Sequence, residues 1–146
     1  MDLSAIYTEL IAEHNKSQHN KRHLEHPTAV LKGRNPSCGD EITLEVRVEN
    51  GVIADAAFTG IGCAISQAST SIMIDLVQGE TVEKAQELID TFLGMIKREI
   101  VDDEKLEILD EALALKNISN MPARVKCAVL SWHTLDSVLK GEGAAK

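Results

Sequence analysis

Aromatic and basic residues are scarce in this sequence, and each shortage narrows what the protein can be. One Trp, one Tyr and two Phe occur among 146 residues, so an apolar core has to consist mainly of aliphatic side chains. The 15 Lys and Arg are outnumbered by 23 Asp and Glu, which gives a formal net charge of −8. An acidic balance disfavours nucleic acid as a partner, because phosphates bind basic surfaces. It is compatible with docking on other proteins.

The sequence also lacks a long apolar run. No stretch approaches the roughly 20 apolar residues that a helix needs to span a bilayer. Residues 1–4 show neither the basic start nor the apolar run of a signal peptide. We therefore expect a cytoplasmic protein without membrane contact, in which thiols stay reduced. A chain of 146 residues has the length of a single domain, and no internal repeat or linker is visible.

Cysteine is limited to three residues, Cys38, Cys63 and Cys127. The odd count argues against a disulfide framework. Together with Asp40, the three thiols provide four ligands of the kinds that tetrahedral zinc accepts, and such borderline-soft ligands also admit iron. The alternative is that Cys63 and Cys127 are buried core residues, as free cysteines often are.

A turn at residues 35–40 has the composition to direct Cys38 and Asp40 to one point. Pro36 fixes its own backbone φ angle, and Gly39 permits a turn that a Cβ atom would obstruct. The thiol and the carboxylate are two residues apart across this turn. The turn therefore favours an arrangement in which Cys38 and Asp40 bind the same ligand.

A hairpin follows this turn directly. Apolar and polar residues alternate over 40–49, which predicts a half-buried strand, and Asn50 before Gly51 is a strong signal for a two-residue turn. Residues 52–59 form the partner strand, and a short strand over 29–31 precedes the turn. Because the two arms are similar in length, closing the hairpin brings Cys38 and Asp40 close to Cys63.

Helical periodicity covers most of the remaining chain. We predict an N-terminal helix within residues 1–15 and further helices over 64–77, from 81 to about 97, from about 103, and from 122 to 141. Cys63 then lies at a helix N-terminus, where free N–H groups favour a thiolate. We interpret the charged segment 97–120 as a solvated face and residues 141–146 as a frayed tail.

Four of the five histidines fall in one polar segment, at His14, His19, His23 and His26. Their spacing is irregular and no cysteine lies between them, so we interpret the segment as a solvated loop that extends to Pro27. A metal site and a contribution to a partner surface are the alternatives. The role of these histidines stays open at this point.

A nucleophilic enzyme is a second hypothesis for the cysteines. Cys38 or Cys127 would attack a substrate while a histidine acts as the base. The remaining histidine, His133, is six residues from Cys127 and points elsewhere on a helix. Arg124 and Lys126 flank Cys127, where they are either solvated cations or groups that lower a thiol pKa and steady a sulfur-bearing anion.

Three motifs, in their order and spacing, resemble the iron–sulfur cluster assembly family of IscU and SufU over nearly the whole chain. They are Asn-Pro-Ser-Cys-Gly-Asp at 35–40, Gly-Ile-Gly-Cys-Ala-Ile-Ser at 60–66 and Pro-Ala-Arg-Val-Lys-Cys at 122–127, with the hairpin between the first two. Scaffold-type members carry a histidine directly before the third cysteine, where this sequence has Lys126. They also have a shorter connection between the second and third cysteines, so the charged segment around 97–117 looks like the insertion typical of the zinc-binding SufU branch.

The resemblance implies an α+β fold, with a small three-stranded antiparallel sheet packed by about five helices, in a single domain over residues 1–146. It implies a zinc ion bound by Cys38, Asp40, Cys63 and Cys127. It also implies that Cys38 is the sulfur acceptor and that Arg124 is a supporting neighbour of the site.

The implied function is iron–sulfur cluster biogenesis. The protein would take persulfide sulfur from a pyridoxal-phosphate cysteine desulfurase of the SufS type and pass it to a downstream Suf cluster scaffold. As an enzyme it would be at most a zinc-dependent sulfurtransferase that acts with the desulfurase. One alternative is a scaffold on which a transient [2Fe-2S] cluster is assembled and transferred, and another is a purely structural zinc domain. We expect a monomer or a weak dimer.

Overall fold

The computed structural model describes residues 3–144, and it describes side chains from Tyr7 onward. It contains one three-stranded antiparallel sheet in the order β1-β2-β3, packed by five α-helices and one 3₁₀ segment. The elements in chain order are α1 (Leu3–Ser17), β1 (Ala29–Asn35), β2 (Asp40–Glu49), β3 (Val52–Ile61), α2 (Ala64–Val77), α3 (Val82–Ile96), α4 (Asp103–Leu106), the 3₁₀ segment (Glu107–Asn120) and α5 (Pro122–Leu139). The predicted α+β class, with its small antiparallel sheet and about five helices, is confirmed. No helix within residues 3–144 is long and apolar enough to cross a membrane.

The hairpin of β2 and β3 closes where the sequence predicts. Asn50 and Gly51 both have positive φ angles, +52° and +76°, as a tight two-residue turn requires. Pairing runs from Glu49 opposite Val52 to Glu41 opposite Ile61, with a register shift between Arg47 and Val48. The open end of the hairpin therefore places the turn before β2 beside the start of α2.

The apolar core lies between one face of the sheet and the helices. Its centre is Trp132 of α5, which is fully buried and stacks on Phe92 of α3 with ring centroids 3.9 Å apart. The Trp132 indole N–H donates to Ser69 Oγ at 3.0 Å, and Ser69 Oγ donates to the Ala128 carbonyl at 2.6 Å. Because these bonds join α2 to α5, they hold together the two helices that carry Cys63 and Cys127.

Three segments differ from the sequence-based expectations. The N-terminal helix continues to Ser17, two residues beyond its predicted end, and His14 lies on it. The region 97–120 is a four-residue α-helix followed by a 3₁₀ segment that is broken at Asp110, where φ is +47°. It is charged on its outer side, but three of its four leucines, both alanines and Ile118 are buried, so it is more than a solvated face. Gly143 accepts a hydrogen bond from Val30 N–H at 2.9 Å instead of fraying; the last two residues of the expected tail lie outside the described residues.

The polar segment between α1 and β1 is irregular, as predicted, but it is attached to the sheet. Phe58 of β3 donates its N–H to the Asn20 carbonyl at 3.0 Å and accepts from the Arg22 N–H at 3.1 Å. Leu24 is buried, and its N–H donates to Glu45 Oε1 at 3.1 Å. These bonds hold the segment along the edge of β3 and against Glu45 of β2.

An ion pair between this segment and β3 should give a small, pH-dependent stabilisation. Arg22 Nη2 donates to Asp55 Oδ1 at 2.6 Å, and this hydrogen bond lowers the pKa of Asp55. A lowered pKa in the folded state stabilises the protein above the unfolded-state pKa and ceases to do so as pH falls through the folded value. Asp55→Asn should therefore lower the free energy of unfolding by about 0.5 kcal/mol at neutral pH.

Urea unfolding of both proteins at neutral pH and at successively lower pH measures this difference, which should shrink in acid. Glu25→Gln is the matched control, because it removes an exposed carboxylate from the segment that carries Arg22. A difference that stays constant or grows in acid would contradict the assigned role of Asp55.

Candidate metal centre

The turn between β1 and β2 holds the first cysteine at the surface end of the hairpin. Cys38 N–H donates to the Asn35 carbonyl at 3.3 Å, and Gly39 has a φ of +69°, a conformation that glycine adopts without strain. The Cys38 side chain is half-buried, and its Sγ lies 3.9 Å from the carbonyl oxygen of Ala123 on α5. The turn thus presents Cys38 between the hairpin and the start of α5.

Three of the predicted ligands converge. Cys127 lies on α5 with only 1% of its surface exposed, and its Sγ donates to Cys38 Sγ at 3.0 Å. The ligand atoms of Cys38, Asp40 and Cys127 all lie within 4.8 Å of one another. No disulfide joins them, because all three cysteines are free.

The fourth predicted ligand, Cys63, lies next to this group. It caps the N-terminus of α2, where its Sγ accepts from Ser66 N–H at 3.4 Å. Its own N–H donates to Asp40 Oδ1 at 2.8 Å. The structure therefore brings Cys63 to the open end of the hairpin beside Asp40, as the equal arms of the hairpin predict.

The charges at this centre fit a divalent cation. Asp40 is only 2% exposed, and within residues 7–144 no lysine, arginine or histidine forms an ion pair with it. A buried carboxylate without a cation is costly, although the Cys63 N–H and the Asn35 amide offset part of that cost. Three sulfur donors and one oxygen donor are a ligand set that zinc accepts in tetrahedral sites.

The pKa of the Cys127 thiol is raised well above its ordinary value. Burial is the main cause, and hydrogen bonding to Cys38, Cys63 and Asp40 adds to it. Without a cation, the Cys127 thiol therefore stays protonated and donates a hydrogen bond to Cys38 Sγ. A bound metal ion reverses this preference, because coordinated thiols are deprotonated.

Two further side chains belong to the surroundings of this centre. Arg124 is exposed on the first turn of α5, three residues before Cys127. Burial raises the pKa of Tyr7 on α1, while the charge of Arg124 opposes that shift and Cys63 adds to it. Tyr7 therefore lies within electrostatic reach of both. The sequence marked it only as part of an apolar helical stripe, so its place near the site was missed.

The arrangement disfavours a Cys/His nucleophilic enzyme. In the described part of the chain, the side-chain hydrogen bonds of the histidines go to serine, asparagine and carboxylate groups, and none goes to a thiol. His133 is exposed on α5 beside Lys126 and Asn35. Neither Cys38 nor Cys127 therefore has an imidazole base in contact with it.

Gly62 permits the close approach that sets the position of Asp40. A Cβ atom at residue 62 would lie 2.6 Å from Asp40 Oδ1, which is too close for a carboxylate held by the Cys63 N–H. Gly62→Ala should therefore lower the free energy of unfolding by about 1–3 kcal/mol and reduce metal retention. Urea titration and elemental analysis measure the two effects.

A double variant is the control for this prediction. In the Asp40→Ala background, Gly62→Ala should lower the free energy of unfolding by markedly less, because the carboxylate that the new methyl group meets is absent. Equal costs in the two backgrounds would show that Gly62 acts through backbone conformation and not through Asp40.

Comparison with known proteins places the whole of this arrangement in a family. The family model described as "NifU-like N terminal domain" matches residues 6–140. An iron-sulfur cluster assembly scaffold protein IscU from Thermotoga maritima is 42% identical over 96% of this chain and 96% of its own length. The zinc-dependent sulfurtransferase SufU from Bacillus subtilis is 37% identical over 97% of this chain and 95% of its own length.

Solved structures agree with the fold. The crystal structure of FiSufU from the thermophile Fervidobacterium islandicum AW-1 superposes with a TM-score of 0.85 at 36% identity, covering 92% of this chain and 97% of that chain. A nitrogen-fixing NifU-like protein from Brucella abortus superposes with a TM-score of 0.76 at 23% identity, covering 92% of each chain, which shows a shared fold. The elements that carry the three cysteines and Asp40 therefore belong to a recurring architecture.

Proposed function

The chain belongs to the NifU-like N-terminal domain family, in which IscU and SufU proteins are its relatives, and from this we propose that it is a zinc-dependent sulfur acceptor in iron–sulfur cluster biogenesis. The Bacillus subtilis relative carries the name of a zinc-dependent sulfurtransferase. The observation that supports the proposal best is the contrast among the three cysteines. Cys38 lies in a surface turn, whereas Cys63 caps a helix and Cys127 is buried within one.

The residues that would hold zinc are Cys38, Asp40, Cys63 and Cys127. When bound there, zinc supplies a positive centre that keeps the thiols deprotonated and lowers their reactivity until a partner engages them. Asp40 is the harder oxygen ligand of the set. It accepts hydrogen bonds from the Cys63 N–H and the Asn35 amide, and these hold it in place independently of the position of Cys38.

The partner that we propose is a pyridoxal-phosphate cysteine desulfurase of the SufS type, which carries a cysteine persulfide. The Cys38 thiolate attacks the terminal sulfur of that persulfide and forms a new S–S bond. The S–S bond of the donor breaks, and its electron pair leaves on the donor cysteine as a thiolate. Sulfur thus moves to Cys38 without net oxidation or reduction, and the protein passes it on to a downstream Suf cluster scaffold.

Arg124 has the position to support this transfer. Its guanidinium group is exposed at the start of α5, the helix whose Ala123 carbonyl faces Cys38 Sγ. A cation beside the thiol stabilises both the attacking thiolate and the anionic sulfur that results. By this account the protein is at most a sulfurtransferase that works together with the desulfurase.

The alternative is a scaffold for a transient [2Fe-2S] cluster, held as cargo by the same thiols. The name of the Thermotoga maritima relative favours this alternative. Lys126 opposes it, because it occupies the position before the third cysteine where scaffold-type members have a histidine.

Two assays on one preparation distinguish the proposals. Zinc-loaded protein should raise the turnover of the desulfurase with cysteine, and the chelated protein should not. Anaerobic reconstitution with iron and sulfide should give little cluster transfer to an apo-ferredoxin. Efficient zinc-independent cluster transfer, without stimulation of the desulfurase, would favour the scaffold. No sulfur uptake at all would leave a structural zinc domain.

A further inference from the structure

Two histidines and a carboxylate meet at a second place on the molecule. His14 on α1, His19 in the following segment and Asp75 on α2 have ligand atoms that all lie within 4.8 Å of one another. Glu111 of the 3₁₀ segment adds a carboxylate oxygen 3.6 Å from His14 Nε2. Asp75 is 12 residues beyond Cys63 along α2, about 18 Å at the rise of an α-helix. This group is therefore separate from the cysteine centre.

Both imidazole rings are oriented in the same way. Nδ1 of His14 is hydrogen-bonded to Ser71 Oγ at 2.7 Å, and Nδ1 of His19 is hydrogen-bonded to Ser17 Oγ at 2.7 Å. The Nε2 atoms of both rings face Asp75. Metal-ligating histidines are typically held by such a hydrogen bond from the second ring nitrogen.

The distances and charges suit a small dication. Nε2 of His19 lies 3.0 Å from Asp75 Oδ2, and Nε2 of His14 lies 4.0 Å from the same oxygen. Ligands around a tetrahedral ion with bonds of 2.0–2.1 Å are separated by roughly 3.3 Å, which falls between these values. Among residues 7–144, no lysine or arginine pairs with Asp75 or Glu111. Two imidazoles and two carboxylates are therefore a donor set that complements a divalent charge.

Ordinary ion pairing explains this group less well. His14 is only 6% exposed, and its Nε2 lies 4.0 Å from Asp75 Oδ2 and 3.6 Å from Glu111 Oε2, too far for a hydrogen bond to either carboxylate. Exposed pairs such as that of His19 with Asp75 contribute little to stability. Ordinary hydrogen bonding accounts for His19, whose Nε2 lies 3.0 Å from both Asp75 oxygens, but not for His14, whose Nε2 faces the same carboxylate from 4.0 Å.

We propose that His14, His19 and Asp75, with Glu111 beside them, form a second metal site, which binds a first-row divalent transition metal ion through nitrogen and oxygen donors. Imidazole and carboxylate ligands of this kind suit ions such as Zn²⁺ and Fe²⁺. The site does not depend on the function proposed for the cysteines.

Cobalt(II) titration of the full chain, started from chelated protein, tests this site with an optical readout. Cobalt bound by thiolates shows a sulfur-to-metal charge-transfer band, whereas cobalt bound by imidazole and carboxylate shows only ligand-field bands. The wild type should bind two ions per chain, with both signatures. His19→Gln and Asp75→Asn should weaken the binding that lacks the charge-transfer band by at least about 100-fold and leave that band unchanged.

His26→Asn is the matched control, since it removes an exposed imidazole from the same segment and asparagine tolerates the φ of +57° at that residue. It should bind like the wild type. Binding of one ion only, accompanied by the charge-transfer band, or equal binding by His19→Gln and His26→Asn, would overturn the proposal. A titration without the charge-transfer band, but with binding that His19→Gln abolishes, would support this second site while contradicting the zinc site at the cysteines.

Discussion

Replacing Cys38 with alanine should abolish sulfur uptake while leaving the fold and most of the stability intact. Cys38 is half-buried in a surface turn, and its side chain contacts only the site and the start of α5. Loss of a nucleophile removes the covalent step altogether, so stimulation of the desulfurase should fall to the level seen without this protein. Turnover of the desulfurase with cysteine measures the effect, and circular dichroism checks the fold.

Ser37→Ala is the matched control for this variant. It changes an exposed residue of the same turn and keeps the thiol, so stimulation should remain near that of the wild type. Persulfide formation by Cys38→Ala at the wild-type level would contradict the assignment of Cys38 as the acceptor.

Replacing Cys127 with alanine should remove both the metal and much of the stability. Cys127 is buried on α5 and connects that helix to the turn at Cys38, so its loss removes a ligand and leaves a small cavity. A metal ion present at 100 times its dissociation constant stabilises the folded state by about 2.7 kcal/mol, and the variant should lose a contribution of that kind. Zinc per chain should fall by one relative to the wild type, and the melting temperature should fall with it.

Chelated wild type is the control for the Cys127 variant. After chelation, the free energies of unfolding of the two proteins should differ only by the contribution of the buried side chain, which we expect to be about 1–2 kcal/mol. A variant that binds as much zinc per chain as the wild type and melts like the zinc-loaded wild type would show that Cys127 is a core cysteine and not a ligand.

The parts of the site that depend on local structure were predictable from the sequence. Asn50 and Gly51 specify a tight turn, and from that turn alone the approach of Cys38 and Asp40 to Cys63 follows. Cys127 joins them through the packing of α5 on α2 and β1, which no local pattern specifies. The resemblance to IscU and SufU provided that assignment before the structure did.

The parts that depend on long-range packing were missed. The break at Asp110 turns a leucine-rich charged stretch into an irregular segment, because burial of its apolar side outweighs regular helical hydrogen bonding. The same packing brings Glu111 to His14, and α2 brings Asp75 to both histidines. Irregular spacing in the sequence indicated a solvated loop, since nothing local shows that three separate segments meet there.

The measurement that tests the central claim most directly is peptide mass spectrometry of the zinc-loaded wild type after incubation with a cysteine desulfurase and cysteine. Alkylation before digestion preserves each cysteine in the state that it had in solution. The account predicts one added sulfur atom on the peptide that contains Cys38, with Cys63 and Cys127 unchanged. Added sulfur on Cys63 or Cys127, with Cys38 unmodified, would contradict it.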